Sequence, residues 1–185
     1  MQRFQRQTIS IPRISVRHPR TFALSFGLLV DGVSAGFAAT LAMSAVMLLN
    51  DRMSLTPQVD LIRDLRHVIQ ILMGLRTPFL LAWLIHLILG SYVFGCVFAI
   101  VFDHLSGGPV MRGVYFGLAI WLLLMLTAFP LLGYGFFGFG MALGAAPAAA
   151  TLVLHLVYGL ALGIALGSVP TTKGPGNDGR LSDYP

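Results

Sequence analysis

The sequence predicts an all-helical protein, a four-transmembrane-helix bundle, and three observations lead to this fold class. Hydrophobic residues make up 56% of the 185 residues and charged residues only 10%, whereas about a quarter of the residues in a soluble domain are charged. Four apolar runs each supply the ~20 residues that a helix needs to cross a bilayer. The acidic residues are all aspartates, and most charges lie at the chain ends or between the first two runs.

The predicted membrane domain covers residues 23–169. Its four spans are predicted at about residues 29–50, 78–102, 112–132 and 147–169. Residues 1–22 form a basic arm with five arginines and no acid, which we expect to lie in the cytoplasm. Residues 170–185 are polar and rich in glycine and proline, and this composition is typical of a disordered tail.

An amphipathic helix is predicted over residues 57–74, between spans one and two. Thr56 followed by Pro57 is a helix start. One face is apolar and carries Val59, Ile62, Leu65, Ile69 and Leu72. The other face is polar and carries Asp60, Arg63, Asp64, Arg66, His67 and Gln70. A helix with these two faces is expected to lie on the membrane surface.

The distribution of lysine and arginine predicts the orientation. With four spans, the arm, the loop at residues 103–112 and the tail share one side, and they carry eight of the 12 basic residues. The positive-inside rule places that side, with both termini, in the cytoplasm. The net charge of +5 therefore indicates topology and contact with the lipid bilayer, and nucleic acid is not expected as a partner.

The second and fourth spans share a pattern that predicts an internal duplication. "PFLLAWLIHLILG" begins at Pro78 and "PAAATLVLHLVYG" begins at Pro147, and both read proline, seven residues, histidine, three residues, glycine. "DGVSAG" in the first span and "RGVYFG" in the third also match. The chain is therefore predicted to contain two helical hairpins that run in the same sense.

Small residues spaced four apart predict where the helices approach closely, because such spacing lets helix backbones pack in a membrane. The predicted packing positions are Gly32, Gly36, Gly113, Gly117, Gly159, Gly163 and Gly167. Asp31 and Arg112 occupy equivalent positions in the two hairpins. They are predicted either to form an ion pair or to reach water separately at the helix ends.

The equivalent histidines, His86 and His155, leave three alternatives open. Each could be an interior group that hydrogen-bonds within the bundle. They could instead be the axial ligands of a b-type haem, since two imidazoles at one depth on facing helices suit iron. They could also line a path for a proton or a small solute in a transporter, although the sequence offers no membrane-embedded acid beside them to complete a relay.

No catalytic constellation is recognisable, so an enzyme is not expected. Cys96 is the single cysteine, which excludes an intrachain disulfide and a cysteine-built metal site. No serine lies in a nucleophile-elbow motif, and no metal ligands are predicted outside the haem alternative. These observations favour an accessory or structural subunit of a larger assembly, with a membrane-protein partner or a second copy of the chain.

Four segments carry a resemblance to a known family. They are "GFAATLAMSAVMLL", "WLIHLILGSYVFGCVFAIVF", "RGVYFGLAIWLLLMLTAFPLLGYGFFG" and "LHLVYGLALG". Over residues 29–168 the chain resembles an uncharacterised group of small four-helix bacterial inner-membrane proteins, known as a domain of unknown function. The resemblance implies a multi-pass protein of the bacterial inner membrane and brings no established activity or site residues.

Overall fold

The computed structural model describes residues 26–54 and 60–169, and it contains no strand within these ranges. Four helices are long and apolar enough to cross a membrane. They are span one (Phe26–Met53), span two (Phe79–His104), span three (Pro109–Leu131) and span four (Ala146–Gly167). The predicted all-helical, four-span fold is confirmed, and we treat the chain as a multi-pass membrane protein. The predicted arm, the tail and the helix start at Thr56 and Pro57 lie outside the described residues.

Spans three and four are in close contact along a row of glycines. A methyl group added at Gly113 would meet the carbonyl oxygen of Gly159, and one added at Gly117 would meet that of His155. Gly163 lies against Gly113 and the carbonyl of Pro109 in the same row. Small residues at these positions let the two backbones touch, which increases the dispersion attraction that holds helices together in lipid.

Spans one and two pack in a similar way, with Gly32 and Gly36 against Gly95. Span one also packs on span four, so these two helices form the centre of the bundle. Spans two and three meet where the rings of Phe98 and Phe116 lie 5.0 Å apart. This ring pair is near the end of the bundle that carries the short connection between these two spans.

Span two contains a π-helical segment, Leu89–Phe94. Such segments are rare and are frequent at functional sites. Within it, the carbonyl of Gly90 accepts a hydrogen bond of 2.7 Å from the hydroxyl of Tyr158 in span four. The buried hydroxyl of Ser91 has no hydrogen-bond partner among the described residues. The altered backbone therefore joins span two to span four by a polar contact.

A shorter helix, the connecting helix (Leu61–Met73), lies between spans one and two. Its first turn is capped by the side chain of Asp60, which accepts a hydrogen bond from the backbone of Arg63 at 3.0 Å. Gly74 ends it in the left-handed conformation, with φ at 68°. Arg66 donates to the carbonyl of Thr77 at 2.8 Å and ties the helix to the start of span two.

The ion pair of Arg112 differs from the predicted one. Its guanidinium lies 3.4 Å from the carboxylate of Asp103 and 4.6 Å from the ring centre of Phe102. Asp103 and Arg112 flank the same short turn, whereas Asp31 belongs to span one, which packs on spans two and four. Arg112 is therefore paired across the turn between spans two and three, and the alternative in which it pairs with Asp31 is not formed in the described structure.

Candidate functional site

A partly open cavity of about 290 Å³ lies between the helices and is lined by residues from all four spans and the connecting helix. Most of its wall is apolar, with Ile120, Leu124 and Phe129 contributed by span three. The polar and titratable residues that line it are Thr40, Asp64, His86, Thr151, His155 and Tyr158. A largely apolar space with a few polar groups is the usual composition of a small-molecule site.

His155 is 4% exposed, and its hydrogen bonding determines which ring nitrogen carries the hydrogen. Its Nδ1 atom lies 2.7 Å from the carbonyl oxygen of Thr151, one turn earlier in span four. A carbonyl oxygen only accepts hydrogen bonds, so Nδ1 carries the hydrogen. In the neutral ring Nε2 is then an acceptor, and it has no hydrogen-bond partner among the residues that the structure describes.

His86 has a different environment on the facing helix. Its Nε2 atom lies 3.3 Å from the hydroxyl oxygen of Ser44 in span one. The ring of Trp83 packs against it edge to face, with ring centres 5.8 Å apart. A hydroxyl can both donate and accept, so this contact is compatible with either tautomer of His86.

The hydroxyl groups on the cavity wall donate to backbone carbonyls. Thr40 donates to Gly36 at 2.6 Å, and Thr151 donates to Pro147 at 2.8 Å. Tyr158 donates to Gly90 across the bundle. Each of these hydroxyls has one hydrogen, so none of the three has a hydrogen left to donate to another molecule; the Thr151 oxygen also accepts a hydrogen bond of 3.3 Å from the indole of Trp121.

Asp64 lies on the inner side of the connecting helix, which corrects its predicted place on the polar face. It is 9% exposed, and it accepts a 2.9 Å hydrogen bond from the hydroxyl of Tyr134, in the loop after span three. The guanidinium of Arg63 is 3.6 Å away. The helical periodicity predicted that Asp64 lies on the solvated polar face. In the structure the helix docks over the cavity, and the Asp64 side chain is turned inward.

Burial changes the proton affinity of this pair. It raises the pKa of the Asp64 carboxyl above its usual value of 3.8, although the hydrogen bond from Tyr134 and the charge of Arg63 act in the opposite direction. Burial and the nearby Asp64 also raise the pKa of Tyr134. The tyrosine therefore stays protonated at neutral pH and remains a donor to Asp64.

The structure brings both predicted histidines to one cavity, but their packing is not equivalent. The carbonyl of His155 lies against Gly117 of span three. Gly36, the counterpart of Gly117 in the repeat, lies against the carbonyls of Gly90 and Ser91 rather than His86. The duplicated hairpins stay a prediction, since the matched sequence patterns have different contacts.

The sequence interpretation missed several residues of the site: Thr40, Asp64, Thr151 and Tyr158 on the cavity wall, and Tyr134, which donates to Asp64. Asp64 lines the cavity with both histidines, but it belongs to the connecting helix and not to a span, so the expectation that no membrane-embedded acid lies beside them stays a prediction. Tyr158 could have been found, since it is three residues after His155 and shares its helix face. Nothing in the sequence signals that the loop holding Tyr134 reaches the connecting helix.

The geometry also bears on the haem alternative. His155 has the arrangement that metal-binding histidines commonly show, in which one ring nitrogen donates to a backbone carbonyl and the other is available. Nε2 of His86 is engaged with Ser44, so a second axial ligand requires that ring to turn. Within residues 26–54 and 60–169, no group of three histidine, cysteine or acidic residues is arranged to hold a metal ion.

A family model described as a family of unknown function (DUF6789) matches residues 27–174. The chain therefore belongs to this family, and the resemblance to an uncharacterised family is confirmed. No curated protein and no solved structure matches the chain.

Proposed function

We propose, for this member of the DUF6789 family, a role as an accessory membrane factor that holds a small, largely apolar molecule between its spans. The observation that carries this proposal is the cavity of about 290 Å³ with both histidines on its wall. An apolar cavity of about 150 Å³ is enough to bind benzene. The space here suits a molecule, or part of a lipid, of roughly two-ring size.

The connecting helix forms a cover over part of the cavity, and we propose that a ligand enters past it. Leu61, Leu65 and Val68 of the connecting helix form part of its lining. The Asp64–Tyr134 hydrogen bond joins this helix to the loop after span three, and the Arg66–Thr77 contact joins it to span two. These contacts hold the helix over the cavity, and displacement of the helix would open a path for ligand entry.

The test compares two tryptophan substitutions in adjacent positions of span three. Leu124 lines the cavity, whereas the neighbouring Leu123 is 54% exposed on the outer surface. Leu124→Trp fills part of the cavity, and Leu123→Trp adds the same ring on the lipid side. We expect a small molecule to co-purify with the natural protein and with Leu123→Trp, and to fall several-fold with Leu124→Trp.

The measurement is mass spectrometry of solvent extracts from protein purified in native-lipid nanodiscs. Thermal unfolding of both variants serves as the folding control. The proposal is overturned if no small molecule is enriched over nanodiscs of an unrelated membrane protein, or if both folded variants carry the same amount as the natural chain.

The accessory role concerns the membrane assembly around the protein and is supported by the absence of a recognisable catalytic motif in these residues. We propose the bacterial inner membrane as its location and place both termini in the cytoplasm, on the distribution of basic residues. Gentle solubilisation should recover a membrane-protein partner or a homo-oligomer. Recovery of the chain alone, with every membrane complex intact after its deletion, would contradict this role.

A b-type haem-binding electron-transfer protein is the second candidate. The Nδ1 contact of His155 with the Thr151 carbonyl favours it, and the presence of Asp64 on the same cavity wall as the histidines also keeps the proton-path alternative open. The visible spectrum of protein expressed with sufficient haem tests the haem candidate directly. A Soret band that His86→Ala and His155→Ala each abolish would support it, and absence of the band would exclude it.

A further inference from the structure

The polar part of the cavity wall offers hydrogen-bond acceptors. The hydroxyl hydrogens of Thr40, Thr151 and Tyr158 all go to backbone carbonyls. The carboxylate of Asp64 accepts from Tyr134, and an ionised carboxylate has only lone pairs to offer. Four of the six polar or titratable groups on the wall therefore have no hydrogen to donate to a molecule that enters the cavity.

His155 belongs to the same set because of its tautomer. Its Nδ1 hydrogen is directed to the Thr151 carbonyl at 2.7 Å, so Nε2 of the neutral ring is an acceptor. The side chain is 4% exposed and lines the cavity. Because Nε2 has no partner among the described residues, a ligand that brings a donor can form a hydrogen bond there.

We infer that the cavity selects a neutral molecule with a hydroxyl group, a phenol or an alcohol, whose hydrogen is donated to Nε2 of His155. This inference rests on the proposed function and names the chemical class of its ligand. A carboxylate would bring a negative charge to a wall whose hydroxyl groups have no hydrogen to donate to it. A cation would lose its hydration in an apolar space. The desolvation of a neutral hydroxyl costs less free energy, and its hydrogen can be donated to Nε2 of His155.

The test uses two probes that differ by one methyl group. 2-Naphthol is a two-ring molecule with a hydroxyl donor, and 2-methoxynaphthalene is its methyl ether without a donor. Binding is measured by equilibrium dialysis against the full protein in lipid nanodiscs, with empty nanodiscs subtracted to remove partition into lipid. We expect 2-naphthol to bind about tenfold more tightly than the ether, because one hydrogen bond to a buried acceptor is lost.

Substitution of the acceptor provides the second arm. His155→Phe keeps a ring in place and removes Nε2, so 2-naphthol affinity should fall about tenfold to that of the ether. The matched control is His67→Phe, on the exposed side of the connecting helix, which should leave both affinities unchanged. The comparison of the two probes on the natural chain needs no substitution and remains informative if His155→Phe does not fold.

The outcomes separate this inference from the proposed function. If both probes bind with equal affinity, and Leu124→Trp weakens both, the cavity binds apolar molecules and the requirement for a donor is wrong. If neither probe binds above empty nanodiscs, the binding role and its ligand class are both overturned. A preference for 2-naphthol that His155→Phe removes and His67→Phe retains supports the inference.

Discussion

The interface between spans three and four and the space between spans two and three show opposite ways of packing membrane helices. In the first, Gly113 and Gly159 bring two backbones into contact. In the second, spans two and three meet through the rings of Phe98 and Phe116 and otherwise face a cavity lined by histidines and aliphatic side chains. The closest backbone contacts lie in the glycine interface, and the cavity that we propose as a ligand site lies on the other side.

The comparison indicates that a small helical bundle can contain a cavity when close packing of a neighbouring helix pair offsets the van der Waals contacts that are lost at the cavity. In a membrane, burial of apolar side chains does not drive helix association, because the lipid tails are equally apolar. The attraction therefore has to come from close van der Waals packing, such as these backbone contacts. The glycine row provides it for span four. That helix can then present His155 and Tyr158 to the cavity while it remains fixed against span three.

Breaking the tight region should have the largest effect. A methyl group at Gly159 would meet the carbonyl oxygen of Gly113, so Gly159→Ala has to separate spans three and four and should cost about 3 kcal/mol. The measurement is reversible unfolding in detergent. Gly27→Ala is the matched control, since a methyl group there meets no atom within 4 Å. Equal stability of the two variants would show that the glycine row does not hold the bundle.

Loosening the cover of the cavity should have an intermediate effect. Tyr134→Phe removes the donor to Asp64, leaves a buried acceptor less satisfied, and should weaken docking of the connecting helix by about 1–2 kcal/mol. Amide hydrogen exchange of residues 61–73 should accelerate about tenfold. Tyr92→Phe, at a site 60% exposed on span two, serves as the control. Unchanged exchange with Tyr134→Phe would mean that this hydrogen bond does not hold the helix.

The smallest expected effect is a dependence of the same docking on pH. Burial raises the pKa of Asp64 above 3.8 in the docked helix, whereas an undocked helix returns the carboxyl to water. The stabilisation from the bound proton is therefore fully present below pH ~3.8 and is lost as pH rises through the raised pKa. Exchange of residues 61–73, corrected for intrinsic rates, should slow from neutral pH toward pH ~4.

Asp64→Asn should remove this pH dependence, because the amide does not titrate. Asp51→Asn, at an exposed site near the end of span one, should retain it. If the natural chain and both variants show the same pH profile, another group causes the pH dependence. Protonation of Asp64 would then not control docking of the connecting helix.

Much of the fold could be predicted from the sequence, since length and hydropathy of a segment determine whether it can span a bilayer. The glycine spacing located the tight region, because four residues make about one helical turn and place Gly113 and Gly117 on one face. The site was predicted less completely. His86 and His155 were found from their repeated pattern, but the pairing of Tyr134 with Asp64 joins residues 70 positions apart, and no local pattern encodes such a contact.

By itself the sequence determined that this chain has four apolar spans, a polar connection that forms a helix, and a histidine at matching positions of the second and fourth spans. These properties are local, because the periodicity and hydropathy of a segment are set by its own residues. Only the tertiary structure decided that Asp64 turns inward, that Arg112 pairs with Asp103, and that both histidines share one cavity. Those outcomes depend on which helices pack together, and the balance of contacts among several helices selects that arrangement.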